Sequence, residues 1–156
     1  MKTFIVLVSM FLVTLNSQAQ QSNCTAELWQ HVYNPSRLKG TKECKTITGV
    51  IKDIKKDEKD GDWHINIQLD AQYAHMNLTN DINNSKQGGC LVVEIICVDK
   101  PTQPDAISAC ANYANKITLP KLGDHVSVTG TFVTDTESNH GWNELHPVSE
   151  LIVLKN

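Results

Sequence analysis

Glu144 and His146 stand two residues apart in the stretch His140-Gly-Trp-Asn-Glu-Leu-His-Pro-Val148, and Asp62 and His64 repeat that spacing earlier in the chain. Residues two apart on a β-strand share one face, so each pair sets a carboxylate beside an imidazole. Two such pairs on neighbouring strands can hold a divalent metal, for which both groups are suitable ligands. They can equally serve as a general acid–base pair, because histidine titrates near neutral pH. The simpler reading, preferred from the residues alone, is a strand-end hydrogen bond in which Glu144 orients His146 just before Pro147. No H-x-x-E-H or related spacing argues for more. If the two pairs form one site, His64 and His146 lie within about 8 Å of each other, since ligand bonds are about 2 Å long.

Other residue types offer binding rather than catalysis. Trp142, flanked by Gly141 and Asn143, can stack on a ligand, whereas Trp63 alternates in phase with Ile65 and Ile67 and reads as core. Lys52, Lys55, Lys56 and Lys59 crown one loop, but Asp57, Glu58 and Asp60 blunt that patch. No G-x-S-x-G and no glycine-rich phosphate loop is present, so no catalytic residue is assigned. The candidate ligand-binding residues are therefore Trp142, Glu144, His146 and His64. The candidate metal set is Asp62, His64, Glu144 and His146, and no other cofactor is implied.

These residues need strands to position them. Cys44 to Ile54 reads as a first strand, with Gly49 as a bulge or sharp bend. Trp63, Ile65, Ile67 and Leu69 alternate with His64, Asn66 and Gln68, which predicts a second strand with one apolar and one polar face. Asp70 to Gly89 is a long, Asn-rich connection with a helical turn near Tyr73 to Leu78. Leu91 to Val98 is nearly continuous apolar and predicts a buried third strand. Thr102 to Ala114 predicts a helix, capped by a T-x-x-D box and carrying Ile107, Cys110, Ala111 and Ala114 on one face. His125 to Thr134 and Gly141 to Leu154 supply the fourth and fifth strands. A short helix over Thr25 to Tyr33 precedes them all.

Five short strands bury their faces most economically by closing into a small barrel. The expected fold is all-β with small α content: a five-stranded OB-like barrel with one helix between strands three and four. Strand one is expected to pair with both strand two and strand four. The expected organisation is a signal peptide over 1–19, an N-terminal extension with a short helix over 20–43, and the barrel domain over 44–156.

Lys2, the apolar run Phe4 to Leu15 and the small residues Ser17 and Ala19 form a signal-peptide pattern with cleavage near Ala19. The run is too short to span a membrane, and no later run is longer. Export permits disulfides among Cys24, Cys44, Cys90, Cys97 and Cys110, and the odd number leaves at least one thiol over. Cys97 closes strand three and Cys110 lies in the following helix, so a bridge between them is expected, with Cα atoms about 4.4–6.8 Å apart. The whole chain carries 14 basic and 17 acidic residues, a net charge of −3. That balance argues against a protein whose main task is holding nucleic-acid phosphates.

The segments His31–Leu38, Cys44–Gly49, Asp60–Ile65, Leu91–Cys97 and His140–Val148 resemble a family of small exported bacterial proteins. Its most specific part is a C-terminal G-W-x-E-[IL]-H-P-V signature, here Gly141 to Val148. The resemblance implies an OB-like barrel and places family cysteines at Cys44, Cys97 and Cys110, with Cys24 and Cys90 as additions. It transfers no activity. The leading expectation is an exported, periplasmic or secreted binding module for a small molecule, glycan or protein. A metal-dependent hydrolase using the acid-x-His pairs is the second, and a structural or inhibitory envelope protein the third.

Overall fold

A computed structural model describes residue 24 and residues 26–56 and 59–155. The expected signal peptide, Thr25 as helix cap, and Asp57 and Glu58 lie outside these residues. Five strands carry the fold: β1 (Leu38–Lys56), β2 (Trp63–Leu69), β3 (Leu91–Ile95), β4 (His125–Asp135) and β5 (Asn143–Val153). They pair in the order β1-β2-β3-β5-β4, and β4 returns to β1, so the sheet closes on itself. All pairings are antiparallel except β3 with β5. Strand one therefore does pair with both strand two and strand four, through Ile51 opposite Ile67 and Gly49 opposite Val126.

The interior is filled from every strand. Ile47, Ile51, Ile65, Ile67, Leu91, Val93, Ile95, Val126, Val128 and Leu145 form one buried cluster. Each such side chain contributes about 1.5–3 kcal/mol when removed from water. Gly49 is needed because β2 comes very close: a Cβ there would sit 2.3 Å from the Gln68 carbonyl oxygen and 2.6 Å from Ile67 Cγ2. The bulge expected at Gly49 falls instead between Ile51 and Asp53.

Several boundaries differ from the sequence reading. Strand β1 begins at Leu38, not Cys44, pairing Leu38 with Asp135 and Lys39 with Thr134. The division at 43/44 thus cuts a strand, and the described part of the preceding segment, 26–43, belongs to the same packed unit. Its 3₁₀ helix (Ala26–His31) replaces the expected short helix. Val32 and Leu38 join Ile96, Cys97 and Val133 in a second buried cluster outside the sheet, with Trp29 and Tyr113 packed against it.

Helix α1 (Asp81–Lys86) lies within the stretch expected as a long, Asn-rich connection. The asparagines instead build its start: the Asn80 side chain accepts from the backbone N–H groups of Ile82 and Asn83, and Asn83 answers on the Asn80 N–H. The fully buried Asn83 then donates to the carbonyls of Cys90 and Asn143, tying the helix to β3 and β5. Helix α2 (Pro104–Cys110) is shorter than Thr102 to Ala114. Pro104 pre-sets its first turn, Gln103 rather than Thr102 precedes it, and Asn112 in the left-handed region turns the chain beyond it. Its buried residue is Ala106, whereas Ile107 is 47% exposed.

Cys97 and Cys110 lie at disulfide distance with Cα atoms 5.6 Å apart, and so do Cys24 and Cys44 at 5.4 Å. Cys90 is a free, buried thiol. No helix among the described residues is long and apolar enough to cross a membrane.

Candidate functional site

The alternation of β2 sends Ile65 and Ile67 inward and His64 and Asn66 outward, but the outward face does not meet water freely. Asn66 is only 6% exposed. The same holds on β3, where Glu94 is the outward residue, and on β5, where Glu144 and His146 are fully buried. His64 stands opposite Glu94, and Val92 opposite Glu144, so the three strands bring their polar residues together as cross-strand neighbours. A polar layer is thus enclosed on the outside of the closed sheet.

Its hydrogen bonds form a continuous chain. Trp142 Nε1 donates to Glu144 Oε2 at 2.8 Å, and His146 Nδ1 donates to Glu144 Oε1 at 3.0 Å. His146 Nδ1 also lies 3.5 Å from Glu94 Oε2, whose other oxygen accepts from His64 Nδ1 at 3.1 Å. His64 Nε2 donates to Asn66 Oδ1, and Asn66 Nδ2 donates to Gln87 Oε1, which fixes the orientation of the amide. Both His64 nitrogens therefore face acceptors, the arrangement of an imidazolium.

His146 differs from His64. Its Nε2 is buried and has no hydrogen-bond partner. The same is true of Asp62 Oδ2, while Asp62 Oδ1 accepts the Cys97 N–H at 2.6 Å. Asp62, Glu94 and His146 each bring a donor atom within 4.8 Å of the others.

The electrostatics follow from burial and pairing. Burial pushes the Asp62 carboxyl well above its usual range. Burial also opposes charge on Glu94, but the His64 hydrogen bond and the charges of His146, His64 and Arg37 win and hold it at about 2. Glu144 is raised by burial and by the neighbouring Glu94. Burial works against protonating His64 and His146, yet Glu94 for the first, and Glu144 with Glu94 for the second, raise both above the ordinary value.

The chain's N-terminal segment closes the layer. Arg37, 8% exposed, pairs with the fully buried Asp135, which also accepts from His140 Nδ1 at 2.8 Å. His140 stacks on Trp142 at 4.1 Å between ring centroids, and His64 meets the Trp142 ring edge-on at 5.6 Å. Above the layer opens a cleft of about 480 Å³, with Asp62, His64 and Glu94 among its lining and Arg37, Lys55 and Lys56 beside them.

The sequence-based candidates are thus brought together, with two corrections. The metal set of Asp62, His64, Glu144 and His146 does not converge as four ligands: Glu94 takes a place among them. His64 holds the far oxygen of Glu94, and Glu144 sits behind His146, where it makes the orienting hydrogen bond expected of it. Trp142 is not an open stacking platform, being 6% exposed and covered by His140. Trp63 is core, with Nε1 donating to Asp99 Oδ2 at 2.8 Å.

Glu94 escaped the sequence reading, although it is the one charge within the apolar run Leu91 to Val98. A carboxylate inside a strand buried on both faces must find partners, and that is the signal that marks it. Arg37 and Asp135, 98 residues apart, share no local pattern. No family model, no curated protein and no solved structure matches the chain.

Proposed function

We propose that this chain is an exported binding module on an OB-like barrel, released by signal-peptide cleavage near Ala19, that takes a small polar molecule in the cleft above the buried polar layer. The observation that carries this reading is the juxtaposition of His64, Glu94 and Asp62 in a concave site with Arg37, Lys55 and Lys56. Concavity with a few convergent polar groups and shifted titration is the usual mark of a ligand site. The mixed charge suits a molecule with an anionic group for the lysines and a hydroxyl or amine for the carboxylates. A flat sugar face gains little here, because the Trp142 ring is already stacked by His140. Hydrolysis at His146 is disfavoured, since that side chain has no exposed surface for a substrate to reach.

The test is ligand-detected NMR with panels of small zwitterionic and anionic metabolites, soluble glycans and short peptides. Binding of a metabolite class that is lost in His64→Ala and weakened in Lys56→Ala supports the reading. A panel in which only glycans or peptides bind, or in which binding survives His64→Ala, overturns it.

A further inference from the structure

We infer that Asp62, Glu94 and His146 form a binding site for one divalent transition-metal cation. Two observations converge. Their donor atoms lie within 4.8 Å of one another. Two of the three residues present a buried atom with no partner, Asp62 Oδ2 and His146 Nε2, and each has its other polar atom already fixed by the protein. Leaving a buried donor or acceptor unmet costs about 1–3 kcal/mol, so two such atoms in one cluster ask for a common partner.

The surroundings suit such an ion. Glu144 accepts from His146 Nδ1, which leaves the Nε2 lone pair for a metal, the carboxylate–histidine arrangement that orients metal-bound imidazole. One imidazole and two carboxylates fit Zn²⁺ or Mn²⁺. Cys97 and Cys110 also lie near Asp62, but as a disulfide pair they offer no thiolate. Asp62 and Glu94 line the cleft, which gives the ion its way in. The metal site shares Asp62 and Glu94 with the cleft of the proposed function, yet it needs no organic ligand, so each reading can fail without the other.

The experiment uses the purified protein, stripped with chelator and titrated with Zn²⁺ alone. Expected are one tightly held ion per chain, a rise in melting temperature, and a change in the His146 Nε2 resonance in ¹H–¹⁵N correlation spectra. Asp62→Asn should weaken binding at least about 100-fold, and Glu144→Gln by about 10–100-fold. His125→Gln, which alters the outlying His125–Asp70 pair, should leave binding unchanged. The spectra need only the natural chain, so they decide the matter even if a variant fails to fold. No binding, an unshifted His146 at saturation, or loss of binding in His125→Gln overturns the inference.

Discussion

Ile65 follows His64 on β2, Glu94 follows Val93 on β3, and Leu145 follows Glu144 on β5. One member of each pair enters the interior of the closed sheet and the other enters the polar layer outside it. Both layers exclude water almost equally: Leu145 and Glu144 are each fully buried. Their energetics are opposite in kind. The interior is held by non-directional burial and tolerates swaps of similar volume at small cost. The outer layer is held by directional pairs, where each group is stable only while its partner remains.

The sharpest way to break this comparison is to remove one partner. Glu94→Leu leaves the His64 and His146 nitrogens without their shared carboxylate, and should cost about 3–5 kcal/mol in urea unfolding. Removing both sides of one contact, in His64→Val with Glu94→Leu, should recover part of that loss. Coupling within one network is typically about 0.5–3 kcal/mol. Strictly additive costs would show that the two residues act separately and that the layer is not one network.

A pH series on the metal-free protein separates the layers without mutation. Glu94 is held at about 2 in the fold, so its contribution is complete above its ordinary value near 4.5 and is lost as pH falls toward 2. His64 and His146 are raised in the fold, so their contribution is complete below about 6.5 and is lost as pH climbs through their folded values. Asp62 and Glu144, also raised, lose stability in the same direction as pH rises. Urea midpoints should therefore peak near the ordinary carboxyl range, at about pH 4, and fall on both sides. Saturating Zn²⁺ should flatten the alkaline fall, because the ion favours the deprotonated ligands. A profile level from pH 4 to 8 would place these groups outside the energetics.

The interior was legible in the sequence and the outer layer only in fragments. Alternation from Trp63 to Leu69 announces β2 to the residue, since a period of two needs only one buried face. The pairs Asp62/His64 and Glu144/His146 announce candidate chemistry, since spacing on a strand fixes a shared face. What spacing omits is the partner across the strand. Glu94 joins His64 through strand register, and Arg37 reaches Asp135 across the packed N-terminal segment. The Asn80–Asn84 stretch shows the converse. Its composition argues for a loop, and only the caps and the carbonyls that Asn83 satisfies make it a helix.

The smallest effect tests the other edge of the comparison, where polar groups meet water. Lys55 lies 3.6 Å from Asp53, with side chains 54% and 50% exposed. Water already solvates both ends of this pair, and holding two long side chains in register costs entropy that cancels much of the attraction. Lys55→Ala should therefore change stability by at most about 0.5 kcal/mol, against several for Glu94→Leu. It should also raise the pKa of His64 slightly, because the Lys55 charge opposes protonation of that ring. Both quantities come from one sample, the first by urea unfolding and the second by NMR titration. A loss above about 1 kcal/mol would mean that the cleft rim belongs to the buried network, and that water does not set the boundary between them.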